Sequence, residues 1–181
     1  MKLKTIISAY LILISTISYS QIFSGKSTTV SFYSKTPAKD IEATTSNVVT
    51  LFNLKTKNIV FSINNTSFKF ENELMQEHFN EKYMESEKYP RSTFSGIIQE
   101  DIDFTKDGEH KVSVKGKLNI HGVEVERIIS GILTIKNNTF KIVSEFIVKL
   151  DDHKITVPSL VGAEIAKEIK ITMISNYEPK K

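Results

Sequence analysis

The chain contains no cysteine. That absence removes a disulfide framework, a lipoprotein-type anchor on Cys and a cysteine nucleophile at once. There is no Gly-x-Ser-x-Gly elbow either. The Ser-Gly pairs at Ser24, Ser95 and Ser130 are ordinary strand or loop features. No glycine-rich loop is present to cradle a phosphate. The four histidines, His78, His110, His121 and His153, lie far apart, and Glu77-His78 is no metal-binding HExxH. His110 and His121 fall in or beside turns, where a solvated imidazole is ordinary. Nor is there a block of one charge. Lys and Glu alternate along the chain, which argues against a nucleic-acid surface. Internal repeats, low-complexity tracts and linkers are also missing. The sequence therefore offers no recognisable catalytic constellation, and no enzyme activity, cofactor or metal is expected.

What is present begins with a leader pattern. Met1-Lys2-Leu3-Lys4 is a short basic start, and Thr5 to Ser20 is an uncharged apolar run ending Ser18-Tyr19-Ser20. Small residues at those positions suit a signal peptidase, so residues 1–20 read as a secretory signal peptide. A membrane anchor is the rival reading. The run is at the short end of what crosses a bilayer, which needs about 20 apolar residues. Cleavage after Ser20 leaves residues 21–181 as one domain with no stable membrane span, exported to the periplasm or beyond. Lys2 and Lys4 leave with the leader, so they account for two of the three net positive charges.

The dominant pattern thereafter is alternation. In His110 to Ile120, Val112, Val114, Gly116, Leu118 and Ile120 share one face, while Lys111, Ser113, Lys115, Lys117 and Asn119 share the other. Successive strand side chains point to opposite faces, so one side is buried and one wet. Phe140 to Leu150 repeats this, and Ile169, Ile171, Met173, Ser175 and Tyr177 form a third such face. Ile129, Gly131, Leu133 and Ile135 are in phase within Val125 to Ile135. Weaker versions start at Val30, Ile41, Ile59 and Phe94. Turn signals separate them, among them Asn64-Asn65, His121-Gly122, Asn137-Asn138 and Asp151-Asp152. The expectation is an all-β fold: a single antiparallel barrel of about eight strands. One or two short helices are added. Leu74, Met75, His78, Phe79 and Tyr83 are helically spaced within Glu71 to Met84, and Leu160, Val161, Ile165 and Ile169 within Ser159 to Lys170.

Three motifs carry a family resemblance. Asn80 to Phe94 (NEKYMESEKYPRSTF) runs from a short helical segment into Lys88-Tyr89-Pro90, small residues, and a Phe opening a strand. Val114 to Val123 (VKGKLNIHGV) matches a Gly-x-Leu-Thr-x-x-Gly-Val hairpin, with Asn119 where Thr is usual. Phe146 to Ile155 matches a penultimate strand and an Asp-aromatic-x-Ile corner, with His153 replacing the aromatic. Together they resemble the YceI-like family, over roughly Ser27 to Tyr177 and most strongly from Glu77 to Val123. The resemblance implies a lipocalin-like barrel in exported bacterial proteins that binds polyisoprenoid chains, such as quinones, in its interior.

Under that reading the pocket candidates on strands are Phe61, Ile63, Phe94, Val114, Leu118 and Ile129, with Leu133 and Phe146. Taken residue by residue, Phe61, Phe70, Phe94, Phe140 and Phe146 read first as packed core and only second as pocket lining. Phe70 is a further pocket candidate, and Leu74, Met75, Phe79 and Tyr83 would form a helical flap at the mouth, where Met adapts to irregular ligands. Arg127 stands in phase with Ile129 and Leu133. It is either a barrel-end residue with a buried stem or a headgroup anchor. The expected partner is an apolar, lipid-like small molecule, in an envelope carrier or storage protein. A homodimer is compatible with the sequence. The alternative is a filled barrel with a structural or interaction role in the envelope.

Overall fold

Every segment of strong alternation is a strand in the computed structural model, which describes residues 21–35, 40–156 and 166–180. The strands are β1 (Ile22–Ser34), β2 (Ile41–Thr45), β3 (Val48–Asn53), β4 (Asn58–Asn64) and β5 (Lys69–Phe70). After the helix α1 (Glu73–His78) come β6 (Arg91–Ile98), β7 (Gly108–Ile120), β8 (Val123–Lys136), β9 (Thr139–Lys149) and β10 (Glu168–Pro179). Strands β10-β9-β8-β7-β6-β4-β3-β1 are neighbours in that order, and β10 pairs back onto β1. The result is a closed antiparallel barrel of eight strands. Closure pairs β1 with β10, the strand that an open sheet would leave as a long edge. β1 is shared. Its start, Ile22–Ser24, pairs with β3, and its end, Val30–Ser34, pairs with β2, which in turn carries β5.

The tight turns follow from local chemistry. His121 and Gly122 both adopt positive φ (53° and 73°), as do Asn137 and Asn138 (49° and 57°). Two consecutive left-handed residues make the hairpin turn that matches strand twist, and Gly and Asn are the residues that tolerate it. Gly96 faces Gly116 across β6 and β7. A side chain at Gly116 would stand 2.3 Å from the Ser95 carbonyl oxygen, so those backbones approach only because both positions are bare.

Inward faces carry Phe23, Phe52, Ile59, Leu133, Phe140 and Tyr177, all fully or nearly fully buried at one end of the barrel. Phe104, on the loop between β6 and β7, plugs that end, 5.5 Å from the Phe52 ring and 6.2 Å from Phe140. Thr50 Oγ1 and Tyr177 OH share a 2.7 Å hydrogen bond there, and Thr28 Oγ1 bonds Ser175 Oγ at 2.7 Å. Burial pushes the Tyr177 phenol up to about 12.

The helical expectation for Glu71 to Met84 resolves into α1, capped by the Asn72 side chain on the Leu74 and Met75 amides, followed by a wider turn at Phe79–Tyr83. The second expected helix, Ser159 to Lys170, is corrected at its end. Glu168–Lys170 belongs to β10, where Ile169 and Ile171 sit opposite Val148 and Phe146. Cross-strand pairing prevails over helical spacing at those positions. Residues 159–165 lie outside the described residues, as do the leader residues 1–20. No helix among the described residues is long and apolar enough to cross a membrane.

Candidate functional site

The barrel is not filled throughout. Above the aromatic base lies a cavity of about 460 Å³, within the roughly 300–1,000 Å³ usual for small-molecule sites. Its wall is built by cross-strand neighbours: Phe61 on β4 faces Phe94 on β6, which faces Leu118 on β7, while Val114 faces Ile129 on β8. Ile63 continues the wall upward on β4, and Phe146 does so on β9. The remaining wall, which sequence reasoning did not single out, includes Phe32, Ile59, Ile142, Val148, Ile171 and Met173. Their alternation marked them as inward, but no pattern separates a lining residue from a packed one.

The mouth is aromatic. Phe32, Phe68, Phe70 and Phe79 meet with ring centroids between 5.1 and 5.6 Å. Leu74, Met75 and Tyr83 complete this cover and border the cavity, with Leu74 still exposed. Burial raises the Tyr83 phenol above its ordinary value. Every apolar candidate named from the sequence borders the cavity except Leu133. That residue lies in the filled half, as does Phe140.

Arg127 is not among the lining residues. Its Nη2 donates to the Ile147 carbonyl at 2.6 Å, and Nη1 lies 3.6 Å from Asp152. The one buried polar side-chain atom at the cavity with no hydrogen-bond partner among the described residues is Ser34 Oγ, on the last residue of β1. A buried hydroxyl without a partner is costly in a dry site, and a ligand oxygen would satisfy it.

The titratable residues do structural work. His121 is not solvated. Its Nε2 lies 2.6 Å from Glu85 Oε2, and the Tyr89 ring packs on it at 4.6 Å. His110 Nε2 is buried too. His153 is fully buried, its Nδ1 3.1 Å from the Val123 carbonyl, and desolvation holds its pKa below the ordinary value. Glu100 accepts the Ser113 amide with both oxygens at 2.9 and 2.8 Å, and Asp103 caps Thr105, so those carboxylates brace their own loop. Among the described residues no group of three or more His, Asp or Glu is arranged to hold a metal.

A protein-family model for the YceI-like domain matches residues 17–175. The chain belongs to the YceI-like family. The YceI-like fold is shared with a polyisoprenoid-binding domain from Saccharophagus degradans at TM-score 0.74 and 13% identity, covering 90% of this chain and 99% of that one. Burkholderia cenocepacia BcnA superposes at TM-score 0.68 and 16% identity, covering 82% and 95%. The Campylobacter jejuni YceI protein does so at TM-score 0.53 and 22% identity, covering 81% and 85%. No curated protein sequence is similar enough to count as a match. In this YceI-like chain the family-resembling residues brace the mouth. The Tyr89 and Pro90 carbonyls accept from Asn65 Nδ2 and the Asn65 amide at 2.7 and 2.9 Å, while Tyr89 closes over His121 and Gly122.

Proposed function

We propose that this protein binds a polyisoprenoid or similar amphiphilic lipid, quinone-like in character, inside its barrel and carries or stores it in the cell envelope. The observation that supports this reading best is the apolar cavity that runs from the aromatic base to the covered mouth. A cavity lined this way stays dry and favours hydrocarbon. Each methylene transferred from water contributes roughly 0.8 kcal/mol, so a prenyl chain needs no polar clamp along its length. Ser34 Oγ offers one directional contact to an oxygen-bearing group. The family membership adds to this, because the Saccharophagus relative of the same fold is described as polyisoprenoid-binding. The filled-barrel alternative has the cavity against it. Export, as the leader pattern suggests, would bring the protein to the membranes where such lipids reside.

The test is to express the full chain in a bacterial host, purify it without detergent and extract it for mass spectrometry. A stoichiometric prenylated lipid is expected. Val114→Phe, which pushes a ring into the cavity beside Ile129, should fold normally yet return empty. Protein that is clean, with melting unmoved by added quinones or polyprenols, would sink the reading.

A further inference from the structure

The ladder of the barrel wall is interrupted at several places, among them the handover of β1 from β3 (Ile22–Ser24) to β2 (Val30–Ser34). One interruption lies in β1, where the register shifts between Gly25 and Ser27. Behind it Thr28 bonds Ser175 and Thr50 bonds Tyr177, and none of the four borders the cavity. That gap is backed by solid core.

Another interruption separates β8 from β9 and lies against the cavity itself. Their ladder runs from Lys136 opposite Thr139 only as far as Gly131 opposite Ser144. Both strands continue beyond, β8 back to Val123 and β9 on to Lys149, each paired only on its other side. Among the described residues no backbone pairing joins Val123–Ser130 to Glu145–Lys149. Three side chains span the seam instead, one of them His153, which follows β9 and whose Nδ1 lies 3.1 Å from the Val123 carbonyl at the far end. Ser144 Oγ donates to the Ser130 carbonyl at 2.6 Å, and Arg127 Nη2 donates to the Ile147 carbonyl at 2.6 Å. Ser130 stands on the outward phase of β8 and still borders the cavity, together with Ile129, Gly131, Ser144 and Phe146. The void therefore reaches the seam.

The outer face there is apolar. Ile128 is 65% exposed, and Ile132, Ile147 and Ile174 about 40% each. Lys170 and Lys149 on the same outward faces are matched by Glu145 and Glu168, while Lys115 and Lys111 of β7 stand opposite Ile128 and Ile132. Apolar surface thus continues from outside the barrel, through a wall held by side-chain bonds in place of a ladder, into an apolar interior. An exposed apolar strip of this kind favours contact with hydrocarbon over water.

We propose that the β8/β9 seam is a lateral entrance, at which the barrel rests on a lipid bilayer and draws in the apolar chain of its ligand sideways, with Arg127 as the latch. This rests on the lipid-binding reading above. Entry through a laddered wall would break a row of backbone hydrogen bonds, whereas here the latch and the Ser144 bond open and the His153–Val123 contact holds the far end.

The chain lacks cysteine, which makes the test clean. Ile128→Cys with Ile147→Cys places thiols across the seam, and a short bismaleimide with its own reducible disulfide staples them. Ile132→Cys with Val143→Cys, a pair already joined by the ladder, is the control. Transfer of a decaprenyl quinone from phosphatidylcholine vesicles to purified protein is followed by stopped-flow quenching. The seam staple should slow transfer at least roughly tenfold, cleavage should restore it, and the control staple should leave it unchanged. Arg127→Ala should speed transfer roughly tenfold without changing the final loading, as expected for loss of a charge-assisted bond that only holds the wall shut. Equal rates with the seam stapled and open would overturn the entrance while leaving lipid binding intact. No loading of any version, even after prolonged incubation, would overturn the lipid-binding reading and the entrance with it.

Discussion

At the base of the barrel Phe23, Phe52, Phe104, Phe140 and Tyr177 meet edge to face at 4.7 to 6.2 Å, and none of them borders the cavity. At the mouth Phe32, Phe68, Phe70 and Phe79 meet at similar distances but roof over an empty space. The two ends use the same residue types on the same closed sheet. They differ in what the connecting segments deliver. The β6–β7 loop drives Phe104 into the base, while the segment carrying α1 lies across the mouth with Leu74 exposed. Aromatic content on strands therefore does not decide whether a small barrel is solid or hollow; the loops at its ends do.

The sharpest way to test this contrast is to truncate one ring at each end. Phe52→Ala removes a fully buried ring from packed surroundings and should cost about 3–5 kcal/mol in urea unfolding. Phe61→Ala borders space that is already empty and should cost about 1–3 kcal/mol, while lowering lipid retention far more than Phe52→Ala does. Equal costs would mean that the upper half is as tightly packed as the base.

Smaller effects distinguish the polar groups of the two ends. Tyr177→Phe leaves Thr50 Oγ1 without its partner and should cost about 1–2 kcal/mol. The Tyr177 phenol is raised from 10.0 to about 12, so the unfolded chain loses that proton first. Wild-type stability should hold below pH 10.0 and fall as pH rises towards about 12. The Phe variant should lack that alkaline decline in a pH series of melting curves. His153, near the mouth, has the opposite sign. Its lowered pKa means that the unfolded chain takes up the proton first, so stability is full above the ordinary 6.5 and falls as pH drops below it. His153→Phe should flatten that acid limb; an unchanged limb would assign the acid sensitivity to other groups.

The smallest change in stability is expected at Ser34. Ser34→Ala breaks no hydrogen bond among the described residues and should shift stability by less than about 0.5 kcal/mol. It should nonetheless weaken binding of a polyprenol and not of squalene, which has no oxygen. Equal weakening of both would remove Ser34 as a ligand contact.

Most of the wall was legible from sequence because β7 to β10 put lysines on the wet face and branched or aromatic residues on the dry one. β3 was not. The segment Ile41–Asn53 is broken at Ser46-Asn47 and turns Thr45 and Thr50 inward, so its alternation reads as polar. The inward phase of Ile129 and Leu133 was equally clear, yet one borders the void and the other lies in the filled half. Their fates depend on the base plug, which alternation does not encode. Arg127 stood out as a charge in an apolar phase. Its partner is a backbone carbonyl 20 residues away, and backbone atoms leave no mark in a sequence.

The ring is closed by its first and last strands. Thr28 and Ser175, bonded across that joint, are 147 residues apart, and the Lys180 amide reaches the Ile22 carbonyl. Contacts of such separation are slow to form. Until β10 arrives, β1 is an open edge able to recruit another chain. Folding is consequently all or nothing with respect to containment. A protease cut within β10 would take away one strand's worth of contacts and, with it, the entire vessel.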